Sequence, residues 1–368
     1  MIHLNSGVSN YIQLLDKSYS FFSGNNYLGL SGHPEVKKAS QNAIEKYGLN
    51  FAAARHTTGT ADIHLELEKD LSDFKNEEDA VTFASGFMGN SILLHSLLDQ
   101  YTALFIDELA HPSILEGIPR EIKNIHFYKH CDVQHLEDLL RKHINQRALI
   151  ITDGIFALTG KISPLQEIYT LVEKYNAILI VDDAHATGVL GKNGQGTPEH
   201  FHLQGAAQIY QTETMSKALG VYGGFISANR EMINLIRESS KIYLASTSLP
   251  PPLVAAACTS VKIVKQQPGL RPALVQKADE IREGIIKLGF HTNREPTPII
   301  PVFFNSRNQA TELSGYLKEH GIIVPCVNYP VAMEKVIVRI TVSVSHTRDQ
   351  IENLLAILKQ WRSTHDVT

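Results

Sequence analysis

The sequence predicts an α/β protein: a mostly parallel sheet covered by helices on both faces, followed by a smaller C-terminal α/β domain. Three observations lead there. Short continuous apolar runs recur at 80–84, 103–107, 148–153, 177–182, 208–212 and 224–228, and helical patterns such as 133–143 and 165–175 separate several of them. Strands apolar throughout, alternating with helices, form parallel sheets buried on both sides. The Pro-rich break at 247–252 ends that pattern. A length of 368 residues suits one large and one smaller domain.

The elements follow in order. Pro34 opens a helix over 34–47, with Val36, Ala43, Ile44 and Tyr47 near one face. Ile63, Leu67, Leu71 and Phe74 repeat at helical spacing over 62–75. After the six apolar runs and the Pro-rich break comes a long helix. Helices at 271–288, 309–319 and 348–361 then combine with strands at 298–304 and 335–343. Thr347 and Gln350 have the spacing of a capping box, and Ile351, Leu354, Leu355, Leu358 and Trp361 form the apolar stripe of the last helix. The expected division is an N-terminal segment 1–40, a large domain 41–250 and a small domain 251–368.

Composition excludes several classes of function. Apolar residues make up 43% and charged residues 20%, as in water-soluble globular chains. The formal net charge of −4, with no long basic run, speaks against nucleic acid or an anionic membrane as partner. No apolar stretch reaches the ~18 residues of a membrane span. The first residues lack the layout of a secretory leader, so a cytoplasmic location is expected. Cys131, Cys258 and Cys326 are too far apart in sequence to suggest a disulfide framework. The 17 histidines are scattered without HExxH or paired Cys/His spacing, so no metal site is expected.

Candidate chemistry gathers where the apolar runs end. In parallel sheets ligands bind beyond the carboxyl ends of the strands. The run 177–182 ends in Asp182, Asp183, Ala184 and His185, and two others end in Asp107 and Asp153. Downstream, Lys217 follows Thr214, Met215 and Ser216 and precedes the glycines of 220–224. A lysine able to form a Schiff base and an acid able to hold a ring nitrogen protonated are two parts of a pyridoxal 5'-phosphate (PLP) site. Lys217 is the candidate for the first, with partial burial expected to favour its unprotonated amine. Asp182 is the candidate for the second. It closes the apolar run, whereas the side chain of Asp183 points the opposite way. Two adjacent aspartates also serve simply to cap a strand end.

His185 is placed to reach the cofactor's phenolic oxygen and His111 to lie over its ring, although single histidines are more often structural. Ser85, Gly86 and Phe87 supply backbone N–H groups for a phosphate at a helix start, and Thr214 adds a hydroxyl. As a bare tripeptide the former is an ordinary turn. The glycine-rich 191–196 lacks the strand-turn-helix context of a nucleotide loop and reads as a turn.

Taken together, these motifs resemble the α-oxoamine synthase family of PLP enzymes, over about residues 20 to 360. The resemblance rests on Asn25 to Leu30 (NNYLGL), Arg55 to Thr60 (RHTTGT), Ser85 to Phe87, His111, Val181 to His185 (VDDAH), Thr214 to Lys217 (TMSK), Ser246 to Pro250 (STSLP) and Arg339 to Thr341 (RIT). It implies PLP-dependent transferase fold type I, with a mostly parallel seven-stranded sheet in the large domain. It also implies a homodimer with shared active sites, in which Ser246 reaches the phosphate of the neighbouring subunit's cofactor. Asn25 then lies near the substrate, and Arg339 binds the amino-acid carboxylate with its planar fork.

The implied reaction joins a small amino acid to an acyl-CoA with loss of CO2. Within the family the branch that uses alanine and a pimeloyl thioester, in biotin synthesis, is favoured over the glycine-using ligase and serine-using palmitoyltransferase branches. A PLP aminotransferase or aldolase, or a non-catalytic partner subunit, is the alternative on the same fold. Three departures bear on acyl specificity and cofactor contact. Ala157 stands where the family has serine, Ala52, Ala53 and Ala54 replace a glycine-rich run, and an arginine of the family's amino-terminal extension is missing.

Overall fold

The computed structural model describes residues 3–327 and 335–365. The chain divides into two compact units: a large one of residues 34–156 and 162–266, and a small one of residues 1–33, 157–161 and 267–368.

Along the chain, β1 (Tyr11–Leu14) and β2 (Lys17–Phe21) form a hairpin. Helices α1 (Pro34–Tyr47) and α2 (Asp62–Lys75) precede β3 (Asp79–Phe83), α3 (Phe87–Ser96), β4 (Ala103–Asp107) and α4 (Pro112–Glu116). Then come β5 (Asn124–Tyr128), α5 (Val133–Lys142), β6 (Ala148–Asp153), α6 (Leu165–Tyr175), β7 (Ile178–Asp182), α7 (Thr197–His200), β8 (Ile209–Thr214) and β9 (Gly224–Ala228). Helices α8 (Arg230–Ser239), α9 (Lys241–Leu244) and α10 (Pro251–Gln266) complete the large unit.

The large unit is built on a seven-stranded sheet of order β3-β9-β8-β7-β6-β4-β5. Strands β8, β7, β6, β4 and β5 pair in parallel, and β9 runs antiparallel to both its neighbours. All six expected apolar runs are strands of this sheet. The seventh, β5, is an addition: it lies at the edge, bonded only to β4, and its outer positions are exposed.

Period-two alternation divides each central strand between two cores. Leu104, Ile106, Leu149, Ile151 and Ile180 join Ile92, Leu93 and Ile233 on one face. Phe105, Ile150, Leu179 and Val181 join Leu136, Leu140, Ile168 and Val172 on the other. Each Å² of apolar surface that these two faces remove from water stabilises the unit by ~25 cal/mol.

Helix α10 groups with the large unit because it packs on α1 and α2. The unit boundary therefore falls after 266 rather than at 250, and at 33 rather than at 40. In α1, Val36 and Ala43 are buried as expected, but Ile44 is exposed.

In the small unit, α11 (Leu270–Lys287), β10 (Ile299–Phe304), α12 (Arg307–Glu319), β11 (Ile322–Ile323), β12 (Cys326–Val327), β13 (Val336–Thr341) and α13 (Arg348–Arg362) follow in order. One sheet has the order β10-β13-β12, and β11 adds in parallel to β2 of the hairpin. The capping box forms: Thr347 accepts from the Gln350 backbone, and the Gln350 side chain accepts from the Thr347 N–H. Ile351, Leu354, Leu358 and Trp361 are buried, with Trp361 against Phe290 and Phe304.

Candidate active site

At the carboxyl ends of the large unit's parallel strands lies a cavity of about 180 Å³. It gathers residues far apart in sequence: Ser85, Gly86, Phe87, His111, Asp182, His185, Thr214 and Lys217 all line it. Ser113, Asp153, Ala184 and Ser216 complete the lining.

Strand alternation separates the two aspartates at the end of β7. Asp182 faces the cavity, where its Oδ2 accepts from Asn90 Nδ2 at 2.6 Å and its Oδ1 from the Ala184 N–H at 3.2 Å. Asp183 turns to the opposite side and accepts from Thr197 N, Thr197 Oγ1 and Gln211 Nε2.

The N-terminus of α3 enters the cavity through Ser85, Gly86 and Phe87. Glycine is required at 86 by close approach: a Cβ there would lie 2.7 Å from Thr214 Cβ. Thr214 Oγ1 donates to Gly223 O and accepts from Ser216 N, which fixes the turn before Lys217. Lys217 is half-buried on the cavity wall. The donor end of α3 and the carboxylate of Asp182 thus give the cavity one anion-favouring and one cation-favouring group.

His111 caps α4. Its backbone N–H donates to Asp153 Oδ2 at 3.0 Å, and its Nδ1 accepts from the Ser113 N–H at 3.2 Å. That N–H can only donate, so the ring proton sits on Nε2. Burial pushes the His111 pKa below its ordinary value; Asp182 opposes this and Lys217 adds to it. His185 is buried on the same wall. Asp153 is deeply buried, and burial together with Asp182 and Asp107 holds its carboxyl well above the usual range.

Three expected site residues are not part of this lining. Ser246 is outside the cavity lining and donates to Ile242 O at 2.7 Å. Asn25 and Arg339 belong to the small unit, where Arg339 Nη2 donates to Asn25 Oδ1 at 3.1 Å. Burial depresses the Arg339 pKa, and its Nε is buried without a hydrogen-bond partner among the described residues. Burial also raises Tyr27 to about 12, against the nearby Arg339.

Asn90 and Ser113 are absent from the expected site, and Asp153 is expected there only as a strand-end carboxylate with no assigned role. The signal for Asn90 was one buried amide in the apolar stretch from Phe87 to Leu94; for Asp153 it was a carboxylate at a strand end. The loop 191–196 is a turn closed on itself, since Glu199 accepts from the backbone N–H groups of Asn193 and Gln195. Asp107, His130 and Cys131 bring donor atoms within 4.8 Å of one another. Cys131 Sγ is 3.7 and 3.9 Å from the two His130 ring nitrogens, so it lies over the ring face, and Nδ1 already meets Asp107 at 3.0 Å. A shared metal would require the ring to turn.

Comparison with known proteins agrees with this geometry. Residues 21–358 match the family described as aminotransferase class I and II. An 8-amino-7-oxononanoate synthase of Thermoanaerobacter pseudethanolicus is 41% identical over 90% of this chain and 85% of its own length. A serine palmitoyltransferase from S. paucimobilis, solved with a bound PLP–myriocin aldimine, superposes with a TM-score of 0.92 at 26% identity over 99% of this chain and 92% of that one. An 8-amino-7-oxononanoate synthase from Francisella tularensis gives a TM-score of 0.81 at 27% identity over 94% and 98%. The fold is that of type I PLP-dependent transferases. The chain belongs to the aminotransferase class I and II family, within its α-oxoamine synthase group.

Proposed function

We propose that this protein is a PLP-dependent acyltransferase that condenses alanine with a pimeloyl thioester, releasing CO2; its likeness to proteins named 8-amino-7-oxononanoate synthase supports this reading. The observation that carries this reading is the meeting of Lys217 and Asp182 in one cavity, with the N-terminus of α3 at its wall.

The residues fit the cofactor. The space kept open by the missing Cβ of Gly86, beside Thr214 and the first N–H groups of α3, suits a phosphate. Asp182, fixed by two donors, suits a protonated ring nitrogen. Bound PLP supplies a sink for negative charge developing at the substrate α-carbon. Lys217 would hold the cofactor through Nζ, and its freed amine would be placed to take the α-proton. His111, carrying its proton on Nε2, would lie against the cofactor's ring and beside the incoming acyl carbonyl. His185 serves the phenolic oxygen, which it does without help from a hydroxyl at Ala157.

Arg339 and Asn25 serve the amino-acid carboxylate in this reading; the Nε of Arg339, without a partner among the described residues, is a donor suited to it. Ser246, outside the cavity of its own chain, serves the phosphate of a second subunit, which makes the working unit a homodimer. No helix among the described residues is long and apolar enough to cross a membrane. A cytoplasmic location in biotin synthesis completes the proposal.

Fold likeness to serine palmitoyltransferase favours a serine-using reaction as second reading, but at lower identity than the alanine branch. Two experiments decide. Loading with PLP should give a visible absorbance band that borohydride abolishes and that Lys217→Ala lacks. Alanine, glycine and serine should then be assayed against acyl-CoAs for thiol release. Alanine with pimeloyl-CoA is expected to be fastest, and no thiol release with any pair would overturn the acyltransferase reading.

A further inference from the structure

Asn90 lies one turn inside α3, the helix whose first residues line the cavity, and its side chain is wholly buried. Its amide makes three hydrogen bonds. Nδ2 donates to Asp182 Oδ2 at 2.6 Å and to Ser113 Oγ at 2.9 Å, and Oδ1 accepts from Thr212 Oγ1 at 3.1 Å. An amide nitrogen has two N–H donors, and both are used. The reverse orientation would press the carbonyl oxygen against a carboxylate, so the geometry fixes which atom faces Asp182.

The chain of bonds continues. With Ser113 Oγ accepting from Asn90, its own proton is free to go to His111 Nδ1, 2.7 Å away. Nδ1 is already an acceptor for the Ser113 N–H, so every donor in the series is determined. One buried amide therefore stands between the acid of the site and the imidazole on its wall, and donates toward both.

We propose that Asn90 is a positioning residue: it holds the Asp182 carboxylate toward the cofactor's ring nitrogen without neutralising it, and through Ser113 it sets the orientation and tautomer of His111. This rests on the PLP reading above. The choice of an amide has a physical reason. A lysine or arginine at position 90 would hold Asp182 equally well but would cancel the charge needed to keep the ring nitrogen protonated. A neutral donor orients the carboxylate and leaves its charge in place. An apolar residue would leave Asp182 with the Ala184 N–H as its donor among the described residues.

The test uses holoenzyme loaded with PLP labelled with 15N in the ring. In wild type the ring nitrogen should resonate as the protonated form. In Asn90→Leu it is expected to move toward the neutral form, with kcat for the alanine reaction reduced about 10- to 100-fold, the usual scale for partners that orient a functional group, and KM changed less. Thr212→Val keeps volume and removes only the anchor of the amide oxygen; it should shift the signal the same way by a smaller amount, and it carries the test if the leucine variant does not fold. A purely structural role would lower the melting temperature of both variants while leaving the ring-nitrogen signal of the folded fraction unchanged. That outcome, with kcat near wild type, overturns the inference alone. A wild-type protein that takes up no PLP defeats the parent reading and this one with it.

Discussion

Asp182 and Asp183 are consecutive residues that occupy opposite sides of the sheet: Asp182 lines the cavity, and Asp183 lies 3.8 Å from Lys75 Nζ in a buried cluster behind it. One strand end thus supplies a group for chemistry and a group for stability. The two asparagine substitutions should separate these roles. Asp182→Asn is expected to lower kcat by at least about 100-fold with little change in melting temperature, because it removes a charge placed for the reacting centre. Asp183→Asn should do the reverse. It weakens bonds from Thr197 and Gln211 and leaves Lys75 short of a counter-charge, at a cost of about 2–4 kcal/mol in urea unfolding, with activity of the folded protein retained.

The same buried cluster should make stability depend on pH. Lys75 meets Glu213 at 2.7 Å as well as Asp183, and it also donates to Gln195 O. One cation faces two acids, so one acid retains a proton. Burial raises Glu213 to about 8, with Lys75 opposing and Asp183 adding to the rise. In the unfolded chain this group titrates near its ordinary value of about 4.3. Between those values the folded state holds a proton that the unfolded state has lost. The stabilisation is therefore fully present below the unfolded value and is lost as pH rises through about 8. The urea midpoint should fall from pH 5 to pH 8 more steeply in wild type than in Glu213→Gln. Equal slopes would assign the dependence to other groups.

The large unit was legible because its strands are apolar on both faces, and 103–107, 148–153 and 224–228 read directly as β4, β6 and β9. Strand β5 escaped because it is an edge: Asn124, Ile125, His126, Phe127 and Tyr128 mix polar and apolar positions, and only Tyr128 is buried. Helix α10 was readable as a helix but not as part of the large unit, since membership depends on which neighbours its apolar face meets. In the site, residues with reactive groups stood out at strand ends. Asn90 and Ser113 did not, because an amide and a hydroxyl gain meaning only from what folding places 2.6–2.9 Å away.

Ala52, the first of three consecutive alanines, has an unusual backbone. Ala52 has φ +51°, the left-handed region. That conformation costs an L-residue about 1–2 kcal/mol, partly offset by the greater chain entropy glycine loses on folding. Ala52→Gly is expected to raise unfolding free energy by about 0.5 kcal/mol. Gly86→Ala should act in the opposite sense, because its new Cβ meets Thr214 at 2.7 Å from Cβ and 2.8 Å from Oγ1. PLP affinity, followed by fluorescence titration, should fall at least about tenfold in that variant, since the first donors of α3 are displaced.

The last expectation concerns His111. Two observations favour a neutral ring: Nδ1 accepts a backbone N–H, and burial moves its pKa below the ordinary value, with Lys217 adding and Asp182 opposing. Protonation at Nδ1 requires breaking the Ser113 N–H contact, which opposes it. For stability, a depressed histidine contributes above the unfolded value of about 6.5, and that contribution is lost as pH falls through the folded value. For activity, the acid limb of kcat/KM that belongs to His111 should lie below about 6.5. Ser113→Ala removes one acceptor of Asn90 and the hydroxyl 2.7 Å from Nδ1, while keeping the backbone N–H. With less support for the neutral tautomer, the limb should move toward higher pH. A limb unmoved in Ser113→Ala but absent in His111→Asn would show that burial and the Ser113 N–H keep this imidazole uncharged without the hydroxyl.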